Sequence, residues 1–410
     1  MARTRHDPVS TTIQRDERPG AAEDPSGPLL KSISPKRRDQ RTPSQAVGAF
    51  FRRALLSENF ILYLTIIFFV VASIFFTTLS APRNITNQLL NMWPLLAIAI
   101  GQTFVLILGG IDLSQGATMA ITSTIGGLVM STALDASTYD KSPLWGTLIS
   151  ESGGILGQDP NGWAVAVVVM LLLGLLIGWL NGTMITRFNL APFMVTLVSS
   201  TIFAAFALWL TQSRNVANLP EPFLLLGNGD IISIFLGPKL NPDIARRDVL
   251  PLITYPALIS LGLAVLAHFL LTRTSFGRQM YSVGTNRRAS TISGVPSQRV
   301  IIMVYMFSGF CAAVASILYS ARLGIGQPSL GSGNILLDVI GAAVIGGTSL
   351  FGGKGTVKGT LFGVAFFVLL LNILNAMQLS PFIIDAVKGG IILIAALLDI
   401  TRTRILNRGA

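Results

Sequence analysis

The sequence predicts an all-α polytopic membrane protein of about ten transmembrane helices, with both termini cytoplasmic. Three observations carry this. The 410-residue chain is 51% hydrophobic and only 12% charged, more apolar than a soluble domain. Its apolar residues fall into ten long runs, and about 20 such residues suffice to cross the hydrocarbon. The basic residues collect in a few connections, which orients the chain, because Lys and Arg accumulate on the cytoplasmic side.

Residues 1–57 are rich in Arg, Pro, Ser and Asp and show no period that would bury a face, so they are expected to form a disordered basic cytoplasmic tail. The transmembrane domain is placed at 58–400, with runs at 59–79, 87–108, 114–134, 163–183, 191–211, 252–271, 300–320, 334–350, 357–377 and 381–398, and a short cytoplasmic tail at 401–410. An even number of crossings returns the chain to its starting side. The connections then assigned to the cytoplasm hold Arg187, the arginines of residues 272–300, Lys354 and Lys358. The outer loops dilute their basic residues with Asp and Glu, and two of them, 135–162 and 212–251, are long enough to carry function. Short apolar pieces within them, such as Ile231–Leu236, are expected along the interface.

A net charge of +11 follows this topological bias and forms no phosphate-binding face, so nucleic acid is not expected as a partner. The single Cys311 lies in an apolar run and only His6 and His268 are present. Neither a disulfide framework, a metal site nor a cofactor is therefore expected.

The most distinctive stretch is Thr272 to Val300, TRTSFGRQMYSVGTNRRASTISGVPSQRV, with five arginines and no carboxylate. Asn286 to Ile292 is predicted as a short helix, stopped by Ser293, Gly294, Val295 and Pro296. A short cytoplasmic helix between spans is a lever for a partner.

Ionisable side chains in the spans are functional suspects, since charge in hydrocarbon costs about 2.5 to 3.5 kcal/mol even on the permissive insertion scale. They are Asp112, Asp338, Asp385 and Lys388. Asp385 and Lys388 stand three apart and read as a neutralising pair. Asp112 follows a glycine break, where a carboxylate can cap the next helix, and a structural role is favoured there. A neutral, hydroxyl-rich solute would be met by amides and hydroxyls, and the path candidates are Gln102, Asp112, Asn181, Thr196, Ser199, Asp338, Asn372 and Asn375. Gly109 to Gly116 and Gly346 to Gly353 share the pattern G-G-x-x-L-x-x-G, a hint of an internal repeat in parallel orientation.

Thr274-Ser275-Phe276-Gly277-Arg278, Gly284-Thr285-Asn286-Arg287-Arg288-Ala289-Ser290 and Ser293-Gly294-Val295 resemble the coupling loop of ribose-type ABC importer permeases. The GGIDLS stretch at Gly109 and the IGGTSL-x-GG-x-G stretch ending at Gly355 look like further motifs of that family, and the likeness covers most of residues 85–400. Leu336 departs from it, standing where the family has an acidic residue, so no role for that carboxylate carries over.

The resemblance implies the membrane subunit of a binding-protein-dependent importer in the cell membrane. It implies a non-enzymatic chain moving a monosaccharide, driven by a separate ATPase at Gly277, Arg278, Gly284, Asn286, Arg287, Arg288, Ala289, Ser293 and Gly294. An extracytoplasmic sugar-binding protein and a second permease copy, identical or similar, complete the assembly, and the two long outer loops are the candidate platform. Related permeases move branched-chain amino acids or nucleosides, and an ion-coupled carrier is the alternative from another class. Gly353-Lys354 is no phosphate loop, because Thr348 stands at the first glycine position and Gly355 follows the lysine.

Overall fold

The computed structural model describes residues 60–235 and 249–408. The expected tail at 1–57 and the centre of the second outer loop, including Leu236, lie outside these residues. Ten apolar helices coincide with the ten apolar runs: α1 Phe60–Phe75, α2 Pro82–Ile107, α3 Gln115–Met130, α5 Gly162–Arg187, α6 Pro192–Leu210, α8 Tyr255–Arg273, α11 Ser297–Leu323, α12 Ile335–Ile345, α13 Val357–Ala376 and α14 Pro381–Arg408. Four short helices fill the connections: α4 Ala136–Tyr139, α7 Glu221–Asn228, α9 Ser275–Thr285 and α10 Arg287–Ile292.

Six helices, α2, α5, α6, α8, α11 and α13, are long and apolar enough to cross a membrane. Two of the runs hold helices shorter than the runs themselves. Run 334–350 gives only the 11-residue α12, about 16 Å at 1.5 Å per residue, followed by an irregular glycine turn. Run 114–134 gives the 16-residue α3, about 24 Å long. Most of α3 and of the C-terminal half of α12 is buried.

The all-α expectation is corrected in the two long loops expected on the outer side. Strands β1 Ile149–Ser150 and β2 Gly153–Gly154 form one small antiparallel hairpin, and β3 Asp230–Phe235 with β4 Val249–Thr254 form another. Ile231 to Phe235, expected along the interface, pair as β3 instead. The first outer loop is a bonded structure. Its Gly154 N–H donates to the Ser131 carbonyl at 2.9 Å, and the Thr132 N–H reaches across to Asn218 of the second loop at 2.9 Å. The Tyr139 hydroxyl donates to the Asn215 carbonyl at 2.8 Å. The two loops thereby hold each other.

At the centre stands α2, whose residues from Pro94 to Ile107 are all buried. Alongside runs α11, packed on α2 and on α5. Glycine sets the second contact. Gly174, Gly178 and Gly182 follow one face of α5, and a Cβ at these positions would meet Gly309, Tyr305 and Ile302 of α11 in antiparallel order. Small residues let helix backbones approach where hydrophobicity gives no drive to associate in lipid. By contrast, a Cβ on Gly389 or Gly390 of α14 would meet open space.

Candidate coupling and translocation sites

The basic stretch folds into two helices, α9 and α10, where one was expected. α10 falls where a short helix is expected, with Asn286 as its cap and not its first residue: the Asn286 side chain accepts from the Ala289 N–H at 3.0 Å, satisfying one orphan donor of the first turn. It ends at Gly294, whose φ of +84° suits glycine. Arg287, Arg288, Ala289, Ser293 and Gly294 are exposed, and Ile292 is 81% exposed.

α9 was hidden inside the polar stretch. Gly277, Met280 and Val283 are buried while Arg278 is exposed, a spacing of three that marks one helical face. Thr274 caps it, accepting from the Gly277 N–H at 3.2 Å. The Ser282 and Ser290 hydroxyls pair at 2.7 Å and fix α10 against α9. Burial in this packing raises the Tyr281 phenol above its ordinary value, and its hydroxyl donates to the Gly355 carbonyl at 2.7 Å.

The root of α9 meets the two glycine turns. Gly284 lies against the Ile107 carbonyl at the end of α2, so closely that a Cβ there would overlap it. The Gly353 N–H donates to that same carbonyl at 2.8 Å. A Cβ on Gly352 would lie 3.0 Å from Gly109 N. Both G-G-x-x-L-x-x-G stretches thus converge on the handle. Their register differs, however. Gly109 and Gly347 are the left-handed residues, φ +76° and +87°, and each is followed by a residue bonding five positions back, Gly110 to Val105 and Thr348 to Ala343. This is the Schellman closure. It uses the first glycine of one pair and the second of the other, so the sequence match is one residue out of structural step.

The predicted path residues separate into two groups and one outlier. Asp112 is fully buried, accepting from the Ser114 N–H at 2.9 Å, the Ser114 hydroxyl at 2.6 Å and the Ser308 hydroxyl at 2.7 Å. Asn181 donates to the Ser114 hydroxyl at 2.8 Å, Ser199 donates to Asn181, and Thr196 lies 3.3 Å from the Ile111 carbonyl. This closed network ties α3, α5, α6 and α11 around the break after α2. Losing the carboxylate would strand three donors, each costing about 1–3 kcal/mol when buried. Asp112→Ala is expected to reduce the yield of folded protein several-fold, while Asp112→Asn, which keeps an acceptor, retains most of it. Detergent extracts resolved by size exclusion give the comparison. Equal yields from both variants would remove the structural role.

The second group faces a cavity of 510 Å³ between α2, α11, α12, α13 and α14. Asp338, Asn372 and Asn375 line it, joined by Gln88, Asn91 and Asn334. Lys388 lies 3.0 Å from Asp338 and 3.5 Å from Asp385. The expected Asp385–Lys388 pair is therefore one side of a three-residue cluster. Asp338 joins from 50 positions away, a contact that no local spacing could signal. Asn372 exchanges both amide bonds with Asn84, at 3.0 and 3.1 Å. Gln102 belongs to neither group: it is fully buried in α2 and neither of its amide atoms has a partner. Among the described residues no His, Cys, Asp and Glu cluster could hold a metal.

Comparison with known proteins decides the family. A family profile described as "Branched-chain amino acid transport system / permease component" matches residues 84–396. The chain belongs to this permease family. It is 34% identical to the ribose import permease of Bacillus subtilis (strain 168), over 80% of this chain and 88% of the relative. The xylose transport system permease of Haemophilus influenzae is 29% identical over 84% and 97%, and the D-allose permease of Escherichia coli (strain K12) 28% over 77% and 83%. No solved structure matches the chain. Membership makes the chain a transport subunit of the cell membrane and no enzyme.

Proposed function

We propose that this chain is the membrane permease of a binding-protein-dependent ABC importer that carries a monosaccharide into the cytoplasm, worked by a separate ATPase seated on residues 272–300. Relatives named for ribose, xylose and allose span most of its length, so branched-chain amino acids are set aside as cargo. The observation that carries the mechanism is the sharing of helices between handle and cavity. α2 supplies Gln88 and Asn91 to the cavity and, about 24 Å further along its axis, the Ile107 carbonyl to the root of α9. The glycine turn that receives Tyr281 joins α12 to α13, the helices carrying Asp338, Asn372 and Asn375. A displacement of α9 and α10 is transmitted to both walls.

In this reading the chain crosses about ten times with both ends inside, the two bonded outer loops receive the loaded binding protein, and a second permease copy completes the path. Amides and the Asp338–Lys388–Asp385 cluster offer donors and acceptors to sugar hydroxyls. Little affinity is required, because capture has already occurred outside, and the opening alternates as the ATPase pair closes.

The test is charge reversal on the handle. Arg287→Glu with Arg288→Glu, both at exposed sites, is expected to lower binding-protein-stimulated ATP hydrolysis and sugar uptake at least tenfold in proteoliposomes while the permease remains monodisperse. Undiminished uptake would exclude residues 272–300 as the lever.

A further inference from the structure

Ile292 is among the large apolar side chains that stand far out of this end of the bundle. Another is Phe351, 74% exposed, in the turn between α12 and α13. The backbone around it fixes its place. The Phe351 carbonyl oxygen would lie 3.5 Å from a Cβ on Gly109, at the end of the central helix. Gly352 backs onto Gly284, and a Cβ on Gly353 would lie 2.7 Å from the Thr285 hydroxyl. Phe351 therefore projects beside the elbow from which α10 springs, beneath the most buried helix. A side chain there is on the end face of the bundle, away from its lipid-facing flank.

The surrounding charge has one sign. Arg278, Arg287, Arg288, Arg299, Lys354 and Lys358 are all exposed, and neither 272–300 nor 346–380 contains a carboxylate. An aromatic held in the open within a basic field fits a partner with an apolar recess and an acidic rim. Large aromatics anchor interfaces by filling such recesses, and opposite potentials steer the encounter. Two left-handed glycines at Gly352 and Gly353, φ +85° and +72°, present Phe351 at the apex.

We infer that Phe351 is a second contact for the ATPase subunit, so that the partner grips α10 and the α12–α13 turn together. This rests on the proposed function, whose handle it extends. Each grip drives a different wall: α10 acts through α9 on α2, and Phe351 acts directly on α12 and α13, which carry Asp338 and Asn372. The occupant is the ATPase and not lipid, since the turn backs onto the elbow and the end of α2.

The test uses cysteine labelling of the full complex in nanodiscs. The native Cys311 is free and buried, so Phe351→Cys and Ile292→Cys in the otherwise unchanged chain provide the accessible thiols. With a membrane-impermeant maleimide, Phe351→Cys is expected to react rapidly in permease stripped of ATPase and at least tenfold more slowly in the complete complex. Protection of Ile292→Cys without protection of Phe351→Cys overturns this inference and leaves the handle intact. Protection of Phe351→Cys alone sinks the handle, and protection of neither sinks both. Slow reaction in both states, relieved by a lipid-soluble maleimide, would place Phe351 in the bilayer and likewise overturn the inference.

Discussion

Gly178→Leu is expected to abolish the folded permease. A Cβ at this position already overlaps the Tyr305 carbonyl and lies 2.7 Å from Met306 Cα, so the obstruction is backbone and cannot rotate away. Three further carbons would require α5 and α11 to separate along a seam that also includes Gly174 against Gly309 and Gly182 against Ile302. Overpacking costs typically 1–3 kcal/mol where side chains can give way. Here they cannot, and about 3 kcal/mol or more is expected, enough to consume a large part of a marginal stability. Separation would also strain the bonds of Ser308 to Asp112 and of Asn181 to Ser114, which tie α11 and α5 to the same break after α2. The measurement is the monodisperse fraction of detergent-solubilised protein, expected to fall at least tenfold. A leucine variant with native yield would show that the α5–α11 seam does not hold the bundle.

The seam was half legible in the sequence. Gly174 and Gly178 stand four apart, as a close-packing face requires, but spacing names no partner, and Gly389 with Gly390 looks equally promising while meeting nothing. A similar division runs through the rest. α10 is legible because its Ser-Gly-Val-Pro stop is local chemistry. α9 is hidden in the sequence because the arginines of the surrounding stretch dominate its composition, although the buried Gly277, Met280 and Val283 keep a helical step. The short α12 was illegible for a different reason. An apolar run counts residues suited to lipid, whereas the helix ends where Gly347 turns left-handed. In the sequence, a path residue is marked only as a polar group in an apolar run. That criterion cannot separate Asp112, consumed by its neighbours' hydroxyls, from Asp338, which faces the cavity. Depth and contacts distinguish them, and both are tertiary.

Gly284→Ala is expected to uncouple without unfolding. The lesion sits at one end of the bundle, away from the α5–α11 seam, so assembly should survive. Locally, the added methyl would occupy the space where the Ile107 carbonyl accepts from Gly353 at 2.8 Å, driving apart the end of α2, the α12–α13 turn and the root of α9. Those three are the route by which motion at the handle reaches the cavity. Sugar uptake and binding-protein-stimulated ATP hydrolysis in proteoliposomes are expected to fall together by at least tenfold, with ATPase still bound. Gly294→Ala is the counterpart. Its φ of +84° makes alanine strained, by about 1–2 kcal/mol, but a Cβ there meets nothing within 4 Å, and the residue lies beyond the stem that carries the load. A loss much smaller than that of Gly284→Ala should result. The order of the two variants is the informative result. A severe Gly294→Ala beside a mild Gly284→Ala would mean that force enters through the loop after α10, bypassing the junction of three backbones that Gly284 keeps open.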